Sequence, residues 1–195
     1  MPGAHNALNA AAAWTVARVL GVPGEAAAAA LGTFRGTGRR FEVRGEAGGV
    51  RVVDDYAHHP TEVAALLRGA RPAAPGGRVL VLFQPHLYSR TRTFAQEFAD
   101  ALGLADAVVV TDVYAAREDP DPAVTGATIT DLMLGRRTAG EFVADRLEAA
   151  ARVAALARPG DLLLTVGAGD VTELAPVILD ALAARGADAP TEPAS

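Results

Sequence analysis

Three of the four histidines in this chain sit in two short polar stretches, each directly after an apolar run. After Val52-Val53 come Asp54-Asp55-Tyr56-Ala57-His58-His59-Pro60-Thr61-Glu62, and after Leu82-Phe83 come Gln84-Pro85-His86-Leu87-Tyr88-Ser89-Arg90-Thr91-Arg92. In the first stretch, Asp55, His58 and His59 could ligate a divalent metal, since carboxylate and imidazole suit several such ions. They could equally bind and orient a small substrate or nucleotide, or serve as structural hydrogen-bonding groups. Pro60 suits the first position of a helix, which places the histidines at a helix N-terminus, where the dipole favours anions over cations. In the second stretch Arg90 stands beside His86, and a guanidinium fork matches carboxylate or phosphate in two parallel bonds. Arg92 fits either that role or a solvated turn.

Two more polar stretches have the same setting. Thr111-Asp112-Val113-Tyr114-Ala115-Ala116-Arg117-Glu118 follow Val109-Val110, and Gly167-Ala168-Gly169-Asp170 follow Thr165-Val166. The G-x-G lacks the third glycine of a dinucleotide fingerprint, and Asp170 reads better as the cap of a final helix. Asp112, Tyr114 and Arg117 stay open between functional and structural roles. No G-x-S-x-G elbow is present. With no cysteine, a disulfide framework, a thiolate zinc site and a cysteine nucleophile are all excluded.

The elements that must hold these stretches follow from hydrophobic periodicity. Apolar runs at 78–83, 107–110, 141–143 and 162–166 alternate with helical patterns near 61–71, 91–102, 126–135, 145–157 and 171–184. That alternation predicts an α/β fold, an open, doubly wound, mostly parallel sheet of Rossmann-like type. In such sheets ligands bind beyond the carboxyl ends of the strands, so the four polar stretches should converge on one edge. Phe41 to Arg44 and Val50 to Asp54 predict a hairpin turning at Glu46-Ala47-Gly48-Gly49. Upstream, residues 4–20 and 24–32 read as helices, the first with Leu8, Ala12, Val16, Val19 and Leu20 on one face and with Trp14 as a packing residue. Arg35-Gly36-Thr37-Gly38-Arg39-Arg40 reads as a linker. The expected organisation is a helical remainder over 1–37, an α/β domain over 38–187 and a flexible polar tail over 188–195.

The chain has 195 residues, with 18 cationic side chains against 23 acidic ones for a net charge of −5, and all 18 cations are arginine. The mild acidity argues against a nucleic-acid partner. The N-terminus lacks signal-peptide character and no apolar run nears the roughly 20 residues of a membrane span, so a cytoplasmic protein without a membrane partner is expected. Without lysine, a P-loop of the form G-x-x-x-x-G-K-[ST] cannot lie within these residues.

The stretches Arg39-Arg40-Phe41-Glu42, Val53 to Glu62, Phe83 to Thr91, Asp112 to Glu118 and Gly167 to Asp170 together resemble the Mur ligases, over nearly all of residues 36–175. The resemblance implies a cytoplasmic three-domain enzyme of peptidoglycan biosynthesis. In such an enzyme ATP, with Mg2+, phosphorylates the carboxylate of UDP-N-acetylmuramate, and the amine of L-alanine attacks the acyl phosphate. The present chain is similar to the C-terminal, amino-acid-presenting domain, preceded by the last helices of the central ATP-binding domain. It would be inactive alone, and it offers no metal ligand of its own. Gly3-Ala4-His5-Asn6-Ala7-Leu8-Asn9-Ala10 resembles a family stretch that lies against the adenine, which implicates His5, Asn6 and Asn9 in ATP binding. The resemblance further implies that Arg40 reaches the ATP phosphates and Asp55 the ribose. Tyr56, His58, His86 and Arg90 would form the L-alanine pocket, Arg90 binding the carboxylate. It names no proton-transferring residue; the amine must lose a proton, and His58 is a candidate acceptor. Some family members carry an arginine where this chain has Leu87, which rests the carboxylate clamp on Arg90, with Arg92 as a candidate helper. Two other readings remain: a recycling ligase that attaches a tripeptide to UDP-N-acetylmuramate, and a non-catalytic Rossmann-like binding domain.

Overall fold

The computed structural model of the chain describes residues 4–34 and 37–187. The expected tail, 188–195, lies outside the described residues. Six strands form one open sheet: β1 Glu42–Ala47, β2 Val50–Asp55, β3 Val79–Phe83, β4 Ala107–Val110, β5 Gly140–Phe142 and β6 Leu162–Val166. Their order is β1-β2-β6-β3-β4-β5. Only β1 and β2 are antiparallel; every other pairing is parallel. The hairpin closes on Gly48 and Gly49, both at positive φ (55° and 72°), the two-residue geometry that matches strand twist. β1 carries an irregularity between Val43 and Gly45.

The helices are α1 Ala4–Val19, α2 Gly24–Thr33, α3 Pro60–Ala70, α4 Tyr88–Thr93, α5 Ala95–Leu102, α6 Ala127–Thr130, α7 Arg146–Leu156 and α8 Leu174–Ala187. Alternate strand residues feed two cores. Val53, Val81, Phe83, Val110 and Leu164 pack with Val63, Leu67, Phe98 and Leu102 of α3 and α5. Val52, Leu80, Leu82, Val109 and Leu163 pack with Ala150, Val153, Leu174 and Ile178 of α7 and α8. Covering on both faces explains why β3 and β6 are buried along their whole length and read as unbroken apolar runs.

Local departures from the periodic reading have local causes. The helix expected over 91–102 starts earlier, at Tyr88, and breaks at Phe94, whose backbone leaves the helical region (φ −114°, ψ 22°). The helix expected over 126–135 shrinks to four residues plus a 3-10 turn at 131–133, since Thr128, Ile129 and Thr130 are β-branched and Gly135 takes φ 74°. Asp170 is not the cap of the last helix. It opens a 3-10 turn over Asp170–Glu173 ahead of α8, and Gln84 holds that turn: its Oε1 accepts the Val171 N–H at 3.1 Å and its Nε2 donates to Asp170 Oδ1 at 2.7 Å. The supposed core face of α1 stays open, with Leu8, Val16, Val19 and Leu20 exposed by 58–80%. Trp14, expected as a packing residue, is 39% exposed and reaches α2 by donating its Nε1–H to Gly24 O at 3.0 Å.

At the carboxyl end of β2, Asp54 is fully buried. Its Oδ1 accepts from the Thr165 hydroxyl at 2.7 Å, and its Oδ2 accepts from the Thr172 hydroxyl at 2.9 Å and Arg39 Nε at 3.1 Å. Arg39 Nη2 donates onward to Gly167 O at 2.6 Å. Removing the carboxylate would strand a guanidinium and two hydroxyls, so Asp54→Ala should lower the unfolding free energy by about 3–5 kcal/mol. Thr172→Ala, which deletes one neutral bond, should cost only about 1 kcal/mol. Urea unfolding of the two variants distinguishes these outcomes.

Candidate functional site

β6 lies between β2 and β3, so the polar loops leaving β2 and β3 meet over its end. This crowding accounts for the glycines there. A Cβ on Gly167 would stand 2.7 Å from Gln84 O, and one on Gly169 would stand 2.4 Å from Gln84 Oε1 and 2.6 Å from the Tyr114 ring. The G-x-G therefore answers to close packing of neighbouring loops.

One side of this edge opens into a cavity of about 890 Å³ lined by Asn6, Asn9, Arg40, Phe41, Asp55 and Glu62 among others. Four of the five residues expected at a nucleotide are thus brought together. The fifth, His5, belongs to α1, but its side chain lies outside the described residues. The volume lies within the range of ordinary small-molecule sites. Asp55 is held by the Phe41 N–H at 2.8 Å and the Ala57 N–H at 2.9 Å. Burial raises its pKa above the usual carboxylate value, against those two bonds and the Arg40 charge. Each carboxylate oxygen keeps a second lone pair for a ligand hydroxyl. Arg40 supplies positive charge at the same wall. The cavity wall therefore offers acceptors for ligand hydroxyls and a cation for an anionic group.

On the other side stands a row of rings. Tyr56 meets His58 edge-on at 5.1 Å between centroids, His58 meets His86 at 6.1 Å, and His86 stacks on Tyr114 at 5.7 Å. The Arg39 guanidinium lies over Tyr56 at 5.0 Å and that of Arg40 at 6.0 Å. Arg90 Nη1 is 3.3 Å from His86 Nδ1. The structure thus gathers Tyr56, His58, His86 and Arg90 and adds Tyr114. Sequence spacing left Tyr114 open because its partner, His86, comes from a different strand exit; the two residues pair through a parallel bridge.

The histidines differ in what they can do. Arg90 has only donors, so His86 Nδ1 accepts, and the neutral ring carries its proton on Nε2. Burial holds the His86 pKa below the usual imidazole value, and the Arg90, His58 and Arg117 charges push the same way. His58 Nδ1 instead faces the Tyr56 carbonyl at 3.0 Å. That nitrogen must donate, leaving the Nε2 lone pair free. His59 belongs to neither group: it caps α3, its Nδ1 3.4 Å from the Thr61 N–H, and its ring lies 4.9 Å from Phe94.

Asp55, His58 and His59 are each committed to different partners, and among the described residues no group of three or more His, Asp or Glu could hold a metal ion. Arg92 turns away to pair with Asp121 and does not assist Arg90. Leu87, between His86 and Tyr88, is 8% exposed and takes φ 73°, a strained value for a branched side chain. Its N–H donates to Tyr114 O at 2.9 Å and its carbonyl accepts the Thr91 hydroxyl at 2.8 Å. Glu118 accepts from the Ser89 N–H at 3.0 Å and from the Ser89 hydroxyl, tying the loop after β4 to α4.

Residues 39–169 match the family described as "Mur ligase, glutamate ligase domain". The UDP-N-acetylmuramate–L-alanine ligase of Kineococcus radiotolerans is 62% identical over 185 residues, which are 95% of this chain and 39% of that protein. The chain spans about two fifths of the length of the curated relatives it matches. A crystal structure of the UDP-N-acetylmuramate-alanine ligase of Thermotoga maritima is 32% identical with a TM-score of 0.73, covering 92% of this chain and 38% of that one. A murein peptide ligase from Psychrobacter arcticus has the same TM-score at 25% identity, covering 94% of this chain and 38% of its own.

The contrast between the histidines is measurable. His86 should titrate below the usual 6.5, remaining neutral as pH falls through that value and gaining its proton only in more acidic solution. Since the unfolded chain binds that proton earlier, this contribution to stability is full above about pH 6.5 and is lost as pH falls through the lowered midpoint. Arg90→Ala should move the His86 midpoint upward in an NMR titration.

Proposed function

Because the chain belongs to the Mur ligase family, we propose that it is the C-terminal part of the ATP-dependent ligase joining L-alanine to UDP-N-acetylmuramate in peptidoglycan biosynthesis. Residues 38–187 form the amino-acid-binding domain, and residues 1–37 are the helical end of the central ATP-binding domain. The enzyme works in the cytoplasm; among the described residues no helix is long and apolar enough to cross a membrane. The observation that carries the reading is the polarity of the ring row. Arg90 and the His86 Nε2–H are donors suited to a carboxylate, and the His58 Nε2 lone pair a short distance away is an acceptor suited to an amine. An α-amino acid presents that pair of groups.

ATP bound with Mg2+ supplies the phosphoryl group that activates the UDP-N-acetylmuramate carboxylate. In this chain Asn6, Asn9 and His5 read the base, Asp55 accepts from a ribose hydroxyl, and Arg40 offsets phosphate charge. Magnesium is held mainly by the part of the enzyme outside this chain. Arg90 and His86 fix the alanine carboxylate, and Tyr56 closes the pocket beneath Arg39 and Arg40. The alanine nitrogen forms its bond to the acyl carbon, phosphate leaves with the bonding pair, and the surplus proton passes to His58 Nε2. Positioning supplies most of the acceleration in such a reaction.

In the full-length ligase, Arg90→Ala should raise KM for L-alanine about 10- to 150-fold, the equivalent of one lost charge-assisted hydrogen bond of about 1.5–3 kcal/mol. KM for ATP should stay within about twofold. Equal effects on both substrates would remove the carboxylate role, and turnover with a tripeptide but not with L-alanine would replace the reading with that of a recycling ligase. The 195-residue chain alone, having no lysine for a P-loop, should hydrolyse no ATP in a phosphate-release assay.

A further inference from the structure

The proton acceptor at this site has a neighbour whose role is larger than that of a helix cap. Glu62 stands in the first turn of α3, and its Oε2 accepts the backbone N–H of His58 at 3.0 Å and of His59 at 3.2 Å. A carboxylate three residues past the cap commonly does this. The same oxygen is also 3.4 Å from His58 Nδ1. Nδ1 therefore faces two groups, the Tyr56 carbonyl and the Glu62 carboxylate, that can only accept. The Tyr56 carbonyl is fixed in turn, since the Tyr56 N–H donates to Arg39 O at 2.8 Å and its ring lies under the Arg39 guanidinium.

We infer that Glu62 is a positioning residue for proton acceptance by His58. It locks the proton on Nδ1, keeps the lone pair on Nε2 towards the substrate side of the ring row, and balances the imidazolium formed when Nε2 takes the amine proton. The logic parallels that of other acid–base pairs in which a carboxylate orients a histidine through its second nitrogen. The remaining groups facing His58 are the Tyr56 and His86 rings, with Arg90 behind His86 and Arg39 and Arg40 behind Tyr56. Arg39 is itself paired with Asp54 and Glu118 acts on His86, and Glu62 is the carboxylate in contact with the His58 imidazole. Its side chain is 38% exposed, so solvent screens part of the charge and the effect of removing it is modest.

The inference rests on His58 as the proton acceptor, and the test separates the two. E62Q keeps an oxygen for the His58 and His59 N–H groups, so the cap of α3 survives. With that oxygen in place and the Tyr56 carbonyl unchanged, Nδ1 keeps its proton and only the negative charge is lost. In the 195-residue chain above the imidazole titration range, long-range 1H–15N correlation should show His58 protonated on Nδ1 and His86 on Nε2. E62Q should leave the His58 tautomer, the thermal midpoint and His86 unchanged, so that any change in rate reports the lost charge. In the full-length ligase E62Q should lower kcat about tenfold with KM for L-alanine little changed, and His58→Ala should lower kcat about 100-fold or more. The double variant should be no slower than His58→Ala alone. A wild-type His58 protonated on Nε2, or E62Q with wild-type kcat, would overturn the role of Glu62. His58→Ala with wild-type kcat would instead overturn the acceptor reading, whatever the spectra show.

Discussion

A single buried carboxylate, that of Asp54, sets the geometry on which the rest of the site depends. Burying it is tolerable because its oxygens take bonds from Thr165 on β6, from Thr172 beyond it and from Arg39. Through Arg39 it draws the segment entering β1 across the strand ends, where the guanidinium also meets the Gly167 carbonyl. Arg40 then faces the cavity, and Tyr56 is clamped between its own N–H bond and the two guanidinium faces. The next residue along β2, Asp55, points the opposite way as strand geometry requires, and holds Phe41 at the cavity wall. Two adjacent aspartates thus hold one segment from both sides, one as a structural anchor and one as part of a binding wall.

Most of the architecture was legible because it depends on short-range patterns. Unbroken apolar runs marked β3 and β6, Pro60 marked the start of α3, and the polar stretches after each strand marked the edge where Tyr56, His58, His86 and Arg90 meet. The features misread or left open depend on partners distant in the chain. Asp170 lies in a 3-10 turn ahead of the last helix, held by Gln84 through a bond to Val171, 87 residues away. Arg92 is claimed by Asp121, and Tyr114 joins the ring row only because β4 lies beside β3. Periodicity correctly found an apolar face on α1, yet a face does not announce its partner, and Leu8, Val16 and Val19 remain exposed. Glu62 did carry a visible signal, an acid three residues after His59, but that spacing reports the helix cap and not the third contact the same oxygen makes with His58.

The ring row shows how one residue type acquires two chemistries. His58 and His86 are about 6 Å apart between ring centroids, and neither differs from the other in isolation. A carbonyl and a carboxylate at one Nδ1, and a guanidinium at the other, decide which nitrogen is bare. The insertion of β6 between β2 and β3 makes the encounter possible, since it lets two loops lean together over a third strand's end. The small residues after β6, Gly167 and Gly169, are the cost of that arrangement.

The sheet's two margins have a consequence for how the molecule behaves in a crowded solution. An open sheet exposes unpaired backbone groups along its outer strands and can recruit further chains by strand addition. Here one margin, β5, is only three residues long. The other, β1, is interrupted between Val43 and Gly45 and carries Glu42, Arg44 and Glu46 along six residues. A regular ladder cannot continue past the irregularity. The same strand that leads Arg39 and Arg40 to their positions thereby protects the domain from edge-to-edge aggregation.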